Sequence, residues 1–184
     1  YEQAEQPTYF SGKLRQAFSV EDLLNGIEKP EIRQPSPPCS IFVLYSRKDV
    51  GYKEQLLEHL MPLVRLNRIT LWQDDCIDPG EEWRPEMFNH LEVANIVLCL
   101  ISSSFVTSDF CYREELSTAL NAHREGRKIV IPIQIRECNW DQLEIAQIQG
   151  LPGYWMTDLK DDASWTKISK GIEAAIERVK RPAK

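Results

Sequence analysis

The sequence lacks the short motifs that define three large classes of enzyme built from alternating strands and helices. It contains no G-x-G-x-x-G, no G-K-[ST] and no G-x-S-x-G. A dinucleotide-dependent dehydrogenase needs the first, a P-loop NTPase the second and an α/β-hydrolase the third, because these elements bind phosphate or present a nucleophile. The sequence therefore argues against all three classes.

A long apolar run and an excess of basic residues are also missing. No segment approaches the roughly 20 apolar residues that a membrane-spanning helix needs, so we expect no membrane association. Lys and Arg number 22 against 28 Asp and Glu, which gives a net charge of -6. Proteins that bind nucleic acid concentrate basic residues, so we expect no nucleic-acid partner. Residues 1–11 carry no basic stretch followed by an apolar core, which favours a cytoplasmic location.

Cysteine and histidine are scarce and follow no metal-binding pattern. The five cysteines are scattered, with no C-x-x-C pair and no histidine at a zinc-ligand spacing. We expect reduced thiols, with Cys99 as a core residue because it lies in an apolar run. The acidic residues of DDCIDPG (74–80) are typical of a turn, so no metal site is predicted. The three histidines fall on predicted helices and are not candidate bases: His59, His90 and His123.

Residues 1–39 differ in character from the rest of the chain. A polar start is followed by a weakly amphipathic stretch over 9–28 and then by four prolines within nine residues, 30–38. Proline fixes φ and removes a backbone donor, so this cluster is typical of a linker. We predict an N-terminal helical extension and Pro-rich linker over 1–39 and a single domain over 40–184.

From residue 40 onward, strand patterns alternate with helix patterns. This alternation predicts an α/β fold with a doubly wound, flavodoxin-like parallel five-stranded sheet flanked by helices. Pro62 predicts a kink or an early end in the first helix, and Pro132 predicts exposure or irregularity in the fourth strand. The predicted strands are 41–45, 69–72, 94–102, 129–135 and a short edge strand at 154–156. The predicted helices are a first one whose apolar face covers 56–64, then 83–91, 112–123, a weak one at 143–149, and 165–179.

Ligands of such sheets bind beyond the carboxyl ends of the strands, and three segments of this chain fall there. They read IFVLYSRKD, LWQDDCIDPGEEW and ISSSFVTSDFCYREEL. Together they resemble the TIR (Toll/interleukin-1 receptor-like) family, in its bacterial, NAD-cleaving branch. The resemblance implies an NAD nucleosidase that separates nicotinamide from ribose. NAD is then the substrate, and no cofactor is expected.

The resemblance places one catalytic glutamate at the start of the helix that follows Cys111. This chain has two neighbouring glutamates there: spacing in plant-like members points to Glu114, and the bacterial pattern of an acidic and then an apolar residue points to Glu115, which we prefer. A carboxylate beside the sugar stabilises an oxocarbenium-like transition state, and nicotinamide leaves as a neutral molecule without a strong general acid. The alternative for Glu115 is a solvated glutamate in a first helical turn, favoured by the helix dipole.

Residues around this glutamate are the candidate substrate contacts. Arg47 matches an arginine position of the family and could meet the pyrophosphate, whereas Ser46 departs from members with two arginines here. Aromatic side chains could stack on nicotinamide or adenine, or could fill the core instead; Phe110 stands where many members have Trp. The full set is Tyr45, Ser46, Arg47, Asp74, Trp83, Phe110 and Cys111.

The main alternative is a non-enzymatic adaptor, because many TIR domains signal by associating with one another. Fold does not decide between the two functions; the acidic residue after Cys111, which adaptor-type members commonly lack, favours the enzyme. Both functions imply self-association through the BB loop, residues 74–83. The resemblance leaves the product open between linear ADP-ribose and a cyclic ADP-ribose isomer. It also implies a role in bacterial immune signalling and antiphage defence, as in related enzymes.

Overall fold

The computed structural model describes residues 37–72, 83–108, 115–153 and 161–180. The proposed N-terminal extension lies outside these residues except for 37–39, and the proposed fifth strand at 154–156 lies outside them entirely. The first described strand begins at Cys39, the last residue assigned to the linker.

The described residues form one parallel sheet of four strands. They are β1 Cys39–Leu44, β2 Ile69–Trp72, β3 Ile96–Ile101 and β4 Ile129–Gln134, in the order β2-β1-β3-β4. The parallel, doubly wound arrangement is confirmed, but the described part of the chain holds four strands rather than the predicted five. Beyond β4, a single bridge pairs Leu151 with Ile133, and one bridge is too little pairing to make a strand.

Five helices flank the sheet within the described ranges: α1 Val50–Arg65, α2 Trp83–Val93, α3 Ser103–Val106, α4 Leu116–Arg124 and α5 Asp162–Lys180, with 3-10 turns at Arg47–Asp49 and Glu144–Gln147. The weak helix predicted over 143–149 is the second of these turns. None of the described helices is both long enough and apolar enough to cross a membrane.

Both faces of the sheet are covered, which explains the continuous apolar runs of the strands. Every residue of β3 is buried. Alternate residues enter two cores: one core packs against Leu56 of α1 and Ile172 of α5, and the other packs against Leu91 of α2 and Ala119 of α4. Strands buried on both faces do not alternate between apolar and polar residues, so these runs are the expected signature of a central parallel strand.

Pro62 neither ends nor shortens α1. The helix continues through Pro62 to Arg65, and the carbonyl of Pro62 accepts a bond from the backbone N–H of Leu66 at 3.1 Å. Pro62 lies on the exposed side of the helix, as does Glu58, whose carbonyl loses its helical donor. Because water can reach that carbonyl, the missing bond costs less than it would in a buried helix.

Pro132 is buried within a regularly paired strand, so the predicted exposure and irregularity are wrong. It lies opposite Cys99 in the ladder between β3 and β4. Its carbonyl points away from β3 and accepts a bond from the N–H of Leu151 at 2.9 Å. In a strand, the N–H and C=O of one residue face the same side, so the missing donor of Pro132 is not one that β3 requires.

The described cysteines, Cys39, Cys99 and Cys138, are free thiols. Cys99 is fully buried, which confirms it as a core residue. Cys39 is 3% exposed, and burial raises the pKa of its thiol from 9.0 to about 11. Cys39 therefore makes the stability of the fold depend on pH in the alkaline range.

The expected result is a decline in the free energy of unfolding between pH 9 and about pH 11. Below pH 9 the Cys39 thiol is protonated in the folded and in the unfolded chain, so its contribution to stability is fully present. Between pH 9 and about pH 11 the thiol ionises in the unfolded chain but not in the folded one, which favours unfolding, so the contribution is lost. The raised pKa corresponds to a loss of up to about 2 to 3 kcal/mol. Urea unfolding of the wild type and of Cys39→Ala at several pH values checks this: the stability advantage of the wild type should shrink as pH rises. Parallel curves would contradict it.

Candidate functional site

The order of the strands places the topological switch point of the sheet between β1 and β3. From β1 the chain passes to β2 on one side and, later, to β3 on the other, so the connections run in opposite directions at this point. Such a switch point leaves an opening at the carboxyl ends of the two strands. Leu44 lies opposite Cys99, which brings the segments that follow β1 and β3 to the same edge of the sheet.

The segment after β1 turns sharply at this edge. Ser46 is 7% exposed, and its carbonyl accepts a bond from the N–H of Asp49 at 2.7 Å, which closes the turn. Arg47 and Lys48 are exposed. Two cationic side chains therefore lie on a short turn at the carboxyl end of β1, a place where such groups can bind the phosphates of a ligand.

The ring of Tyr45 lies mainly in the core. It is 6% exposed and belongs to the apolar cluster on the side of α1 and α5. The Lys53 ammonium group lies 5.3 Å from the centre of the ring, a distance that suits a cation-π contact. In the single chain, Tyr45 is therefore a core residue. A ligand would stack on its ring only if these contacts rearranged.

Ser102 fixes the segment after β3. It is fully buried, and its hydroxyl oxygen accepts a bond from the N–H of Phe105 at 3.0 Å, which caps α3. The same hydroxyl donates to Asp49 Oδ2 at 2.5 Å. The beginning of α3 is thus attached to the turn that follows β1.

Sequence reasoning missed two polar residues of this edge, Asp49 and Arg136. Asp49 is 1% exposed and accepts a bond from Arg136 Nη2 at 2.7 Å. The same nitrogen donates to Ser104 Oγ at 2.9 Å. Their place in the sequence could have identified them. Each lies within a few residues of the end of a strand, and ligand-binding side chains of a doubly wound fold gather at those ends.

Glu115 lies directly before the first residue of α4. It is 3% exposed, and its side chain does not cap the helix. A solvated glutamate would be open to water, so the alternative of a solvated first-turn residue is wrong. Burying a carboxylate is costly unless charged or polar partners compensate it.

The remaining candidates fall largely outside the described residues. Trp83 is the first residue of α2, but its side chain is not described. The histidines lie on α1, α2 and α4, as predicted. No group of three or more metal-binding side chains converges within the described ranges. The candidates that lie outside the described residues are Asp74, Phe110, Cys111 and Glu114.

Known proteins resemble this chain in sequence and in fold. An uncharacterized protein of Sinorhizobium fredii, y4lF, is 34% identical over 147 residues, which make up 78% of this chain and 46% of that protein. The disease resistance protein RPS4 of Arabidopsis thaliana is 26% identical over 102 residues, 55% of this chain and 8% of that protein. The chain therefore spans less than half the length of these two curated relatives.

A solved structure shares the fold. The TIR domain of the Toll-related receptor TRR-2 from Hydra magnipapillata superposes with a TM-score of 0.56 at 17% identity, over 74% of this chain and 97% of that domain. The family model described as the TIR domain matches residues 41–176, from within β1 to within α5. The chain belongs to the TIR domain family.

Proposed function

We propose that this TIR domain is an NAD nucleosidase, which breaks the bond between nicotinamide and ribose and releases nicotinamide. The other product is ADP-ribose when water captures the ribose cation, or a cyclic ADP-ribose isomer when a group on the ADP-ribose does. The observation that carries the proposal is the buried carboxylate of Glu115 at the start of α4. TIR domains include both NAD-cleaving enzymes and adaptors, and an acidic residue at this place is the feature that the enzymes need.

The chemistry of the reaction fits the residues at this edge of the sheet. As the glycosidic bond breaks, positive charge grows on the ribose ring, and a fixed carboxylate lowers the energy of that state. The exposed side chains of Arg47 and Lys48 offer cations for the pyrophosphate. In this proposal, Glu115 acts on the ribose and the turn after β1 binds the phosphates.

Self-association is part of the proposal. Glu115 is 3% exposed, so a substrate needs a rearrangement or a partner to reach it. We propose that the BB loop of a neighbouring protomer, residues 74–83, completes the site. We place the protein in the cytoplasm, in bacterial immune or cell-death signalling including antiphage defence; the relatives named for disease resistance and for a Toll-related receptor support a signalling role.

An adaptor without enzymatic activity is the second candidate. The observation that favours it is burial: Tyr45 and Glu115 are 6% and 3% exposed, so the protomer alone does not offer an open stacking surface beside an open carboxylate. An adaptor would associate through the same loop but would leave NAD intact.

Incubation of concentrated domain with NAD, followed by mass spectrometry of the products, separates the two candidates. An NAD nucleosidase releases nicotinamide together with linear ADP-ribose, which has gained a water molecule, or with a cyclic ADP-ribose isomer, which has not. A mass difference of one water molecule therefore distinguishes these products. Heat-unfolded protein and the Glu115→Gln variant serve as controls for contaminating activity. Intact NAD at high protein concentration and under crowding would overturn the enzymatic proposal and favour the adaptor.

A further inference from the structure

The buried carboxylate of Asp49 is the centre of a polar cluster that nothing in the reaction scheme has used. Its Oδ2 accepts a bond from Ser102 Oγ at 2.5 Å, and its Oδ1 accepts one from Arg136 Nη2 at 2.7 Å. Asp49 is 1% exposed. A carboxylate at that depth requires charged or polar partners, and both of its oxygens have one.

The partners of Asp49 come from different strand ends. Asp49 lies in the 3-10 turn after β1, Ser102 immediately after β3 and Arg136 two residues after β4. Arg136 Nη2 also bonds Ser104 Oγ at 2.9 Å, at the start of α3. One guanidinium nitrogen therefore joins the segments that follow β1, β3 and β4.

Two of these segments carry the proposed site. The N–H of Asp49 closes the turn that presents Ser46 and Arg47. Ser102 and Ser104 hold the beginning of α3, the first helix of the segment that follows β3. We propose that Arg136 is a positioning residue: acting through Asp49, it fixes the phosphate-binding turn against the start of α3. This inference rests on the proposed NAD nucleosidase function.

An ion pair elsewhere in the fold provides a matched control. Arg68 bonds Glu173 and Glu177 at 2.7 and 2.9 Å, and its side chain is 32% exposed against 37% for Arg136. Arg68 precedes β2, so it joins α5 to the opposite, amino end of the sheet. Both arginines bridge distant segments with similar geometry, but only Arg136 does so beside the proposed site.

The first experiment compares Arg136→Ala, Arg136→Lys and Arg68→Ala in NAD cleavage at a temperature well below the melting temperature of each. Displacement of reacting groups by about an ångström costs up to about 100-fold in rate, so Arg136→Ala should lose on the order of 10-fold or more in kcat/KM. Arg136→Lys should recover part of this loss, and Arg68→Ala should stay within about twofold of wild type. Equal losses in Arg136→Ala and Arg68→Ala would overturn the inference.

A double-variant cycle asks whether Arg136 acts through Asp49 or touches the substrate itself. If it acts through Asp49, then Asp49→Asn already releases the turn, and adding Arg136→Ala should change kcat/KM little further. The loss should include kcat as well as KM, because a displaced phosphate-binding turn shifts the bound ribose relative to the catalytic carboxylate. A full additional loss in the double variant, confined to KM, would show direct binding of the phosphates and overturn the positioning role.

Hydrogen exchange tests the same arrangement without relying on catalysis. Amides at 46–49 and 102–108 should exchange faster in Arg136→Ala than in wild type, while Arg68→Ala should leave these segments unchanged. If the wild type cleaves no NAD but these amides still exchange faster in Arg136→Ala, the proposed function is wrong and the positioning of the turn by Arg136 is supported. Unchanged exchange in Arg136→Ala overturns the inference whether or not the wild type is active.

Discussion

Replacement of Glu115 by glutamine is expected to lower the turnover of NAD by about 100-fold or more, since removal of one preorganised charge-stabilising group commonly costs that much. Glutamine has nearly the same size and keeps a carbonyl oxygen, but it lacks the negative charge that opposes the positive charge growing on ribose. Glu115 precedes α4 and does not cap it, so the helix should persist. Steady-state turnover and circular dichroism on the same preparation measure both effects.

The neighbouring glutamate provides the control. Glu114→Gln makes the same chemical change one residue earlier in the chain, and it should leave turnover nearly unchanged if Glu115 is the reacting carboxylate. The reverse pattern, with activity lost in Glu114→Gln and kept in Glu115→Gln, would show that the spacing typical of plant-like members applies. Loss of activity together with loss of helical signal would indicate a structural role for Glu115 instead.

The sheet was predictable because its strands are buried on both faces. The apolar stretch that forms β3 could be recognised directly, and the observed Ile96–Ile101 lies within the predicted 94–102. The same reasoning was wrong about Pro132, which is buried in a regularly paired strand, and Pro62 does not end α1 early. A proline disrupts structure only when its missing donor is needed, and neither the exposed side of α1 nor the outer edge of β4 needs one.

Long-range polar contacts were beyond prediction from the sequence. Asp49 is 53 residues from Ser102 and 87 residues from Arg136, and no local pattern links them. Lys128 is another example: it looks like an ordinary loop lysine, but its ammonium group is buried and donates to the carbonyls of Leu91 and Glu92 at the end of α2. Such partners depend on how the helices dock, which a pattern along one chain does not encode.

The burial of Glu115 leads to the last prediction, which concerns protein concentration. Glu115 is 3% exposed in the single protomer, so a site that works only in the associated species would explain how the carboxylate becomes available. When most chains are monomers, the number of associated pairs grows with the square of the concentration by mass action. Activity should therefore rise more than proportionally with total protein, and specific activity should climb under crowding or artificial clustering.

A mixing experiment separates a shared site from simple stabilisation of the protomer. An excess of Glu115→Gln protein lacks the carboxylate but keeps residues 74–83, so it can supply the loop that a neighbouring wild-type chain needs. Turnover per wild-type chain should then rise as the variant is added, because more wild-type chains have a partner. A second variant with Pro79 and Gly80 also replaced should give no such rescue, since it brings the same bulk protein with an altered loop. Constant specific activity from dilute to concentrated protein, with no rescue on mixing, would show that one chain holds the complete site, and the burial of Glu115 would then have to be relieved by movement within the protomer.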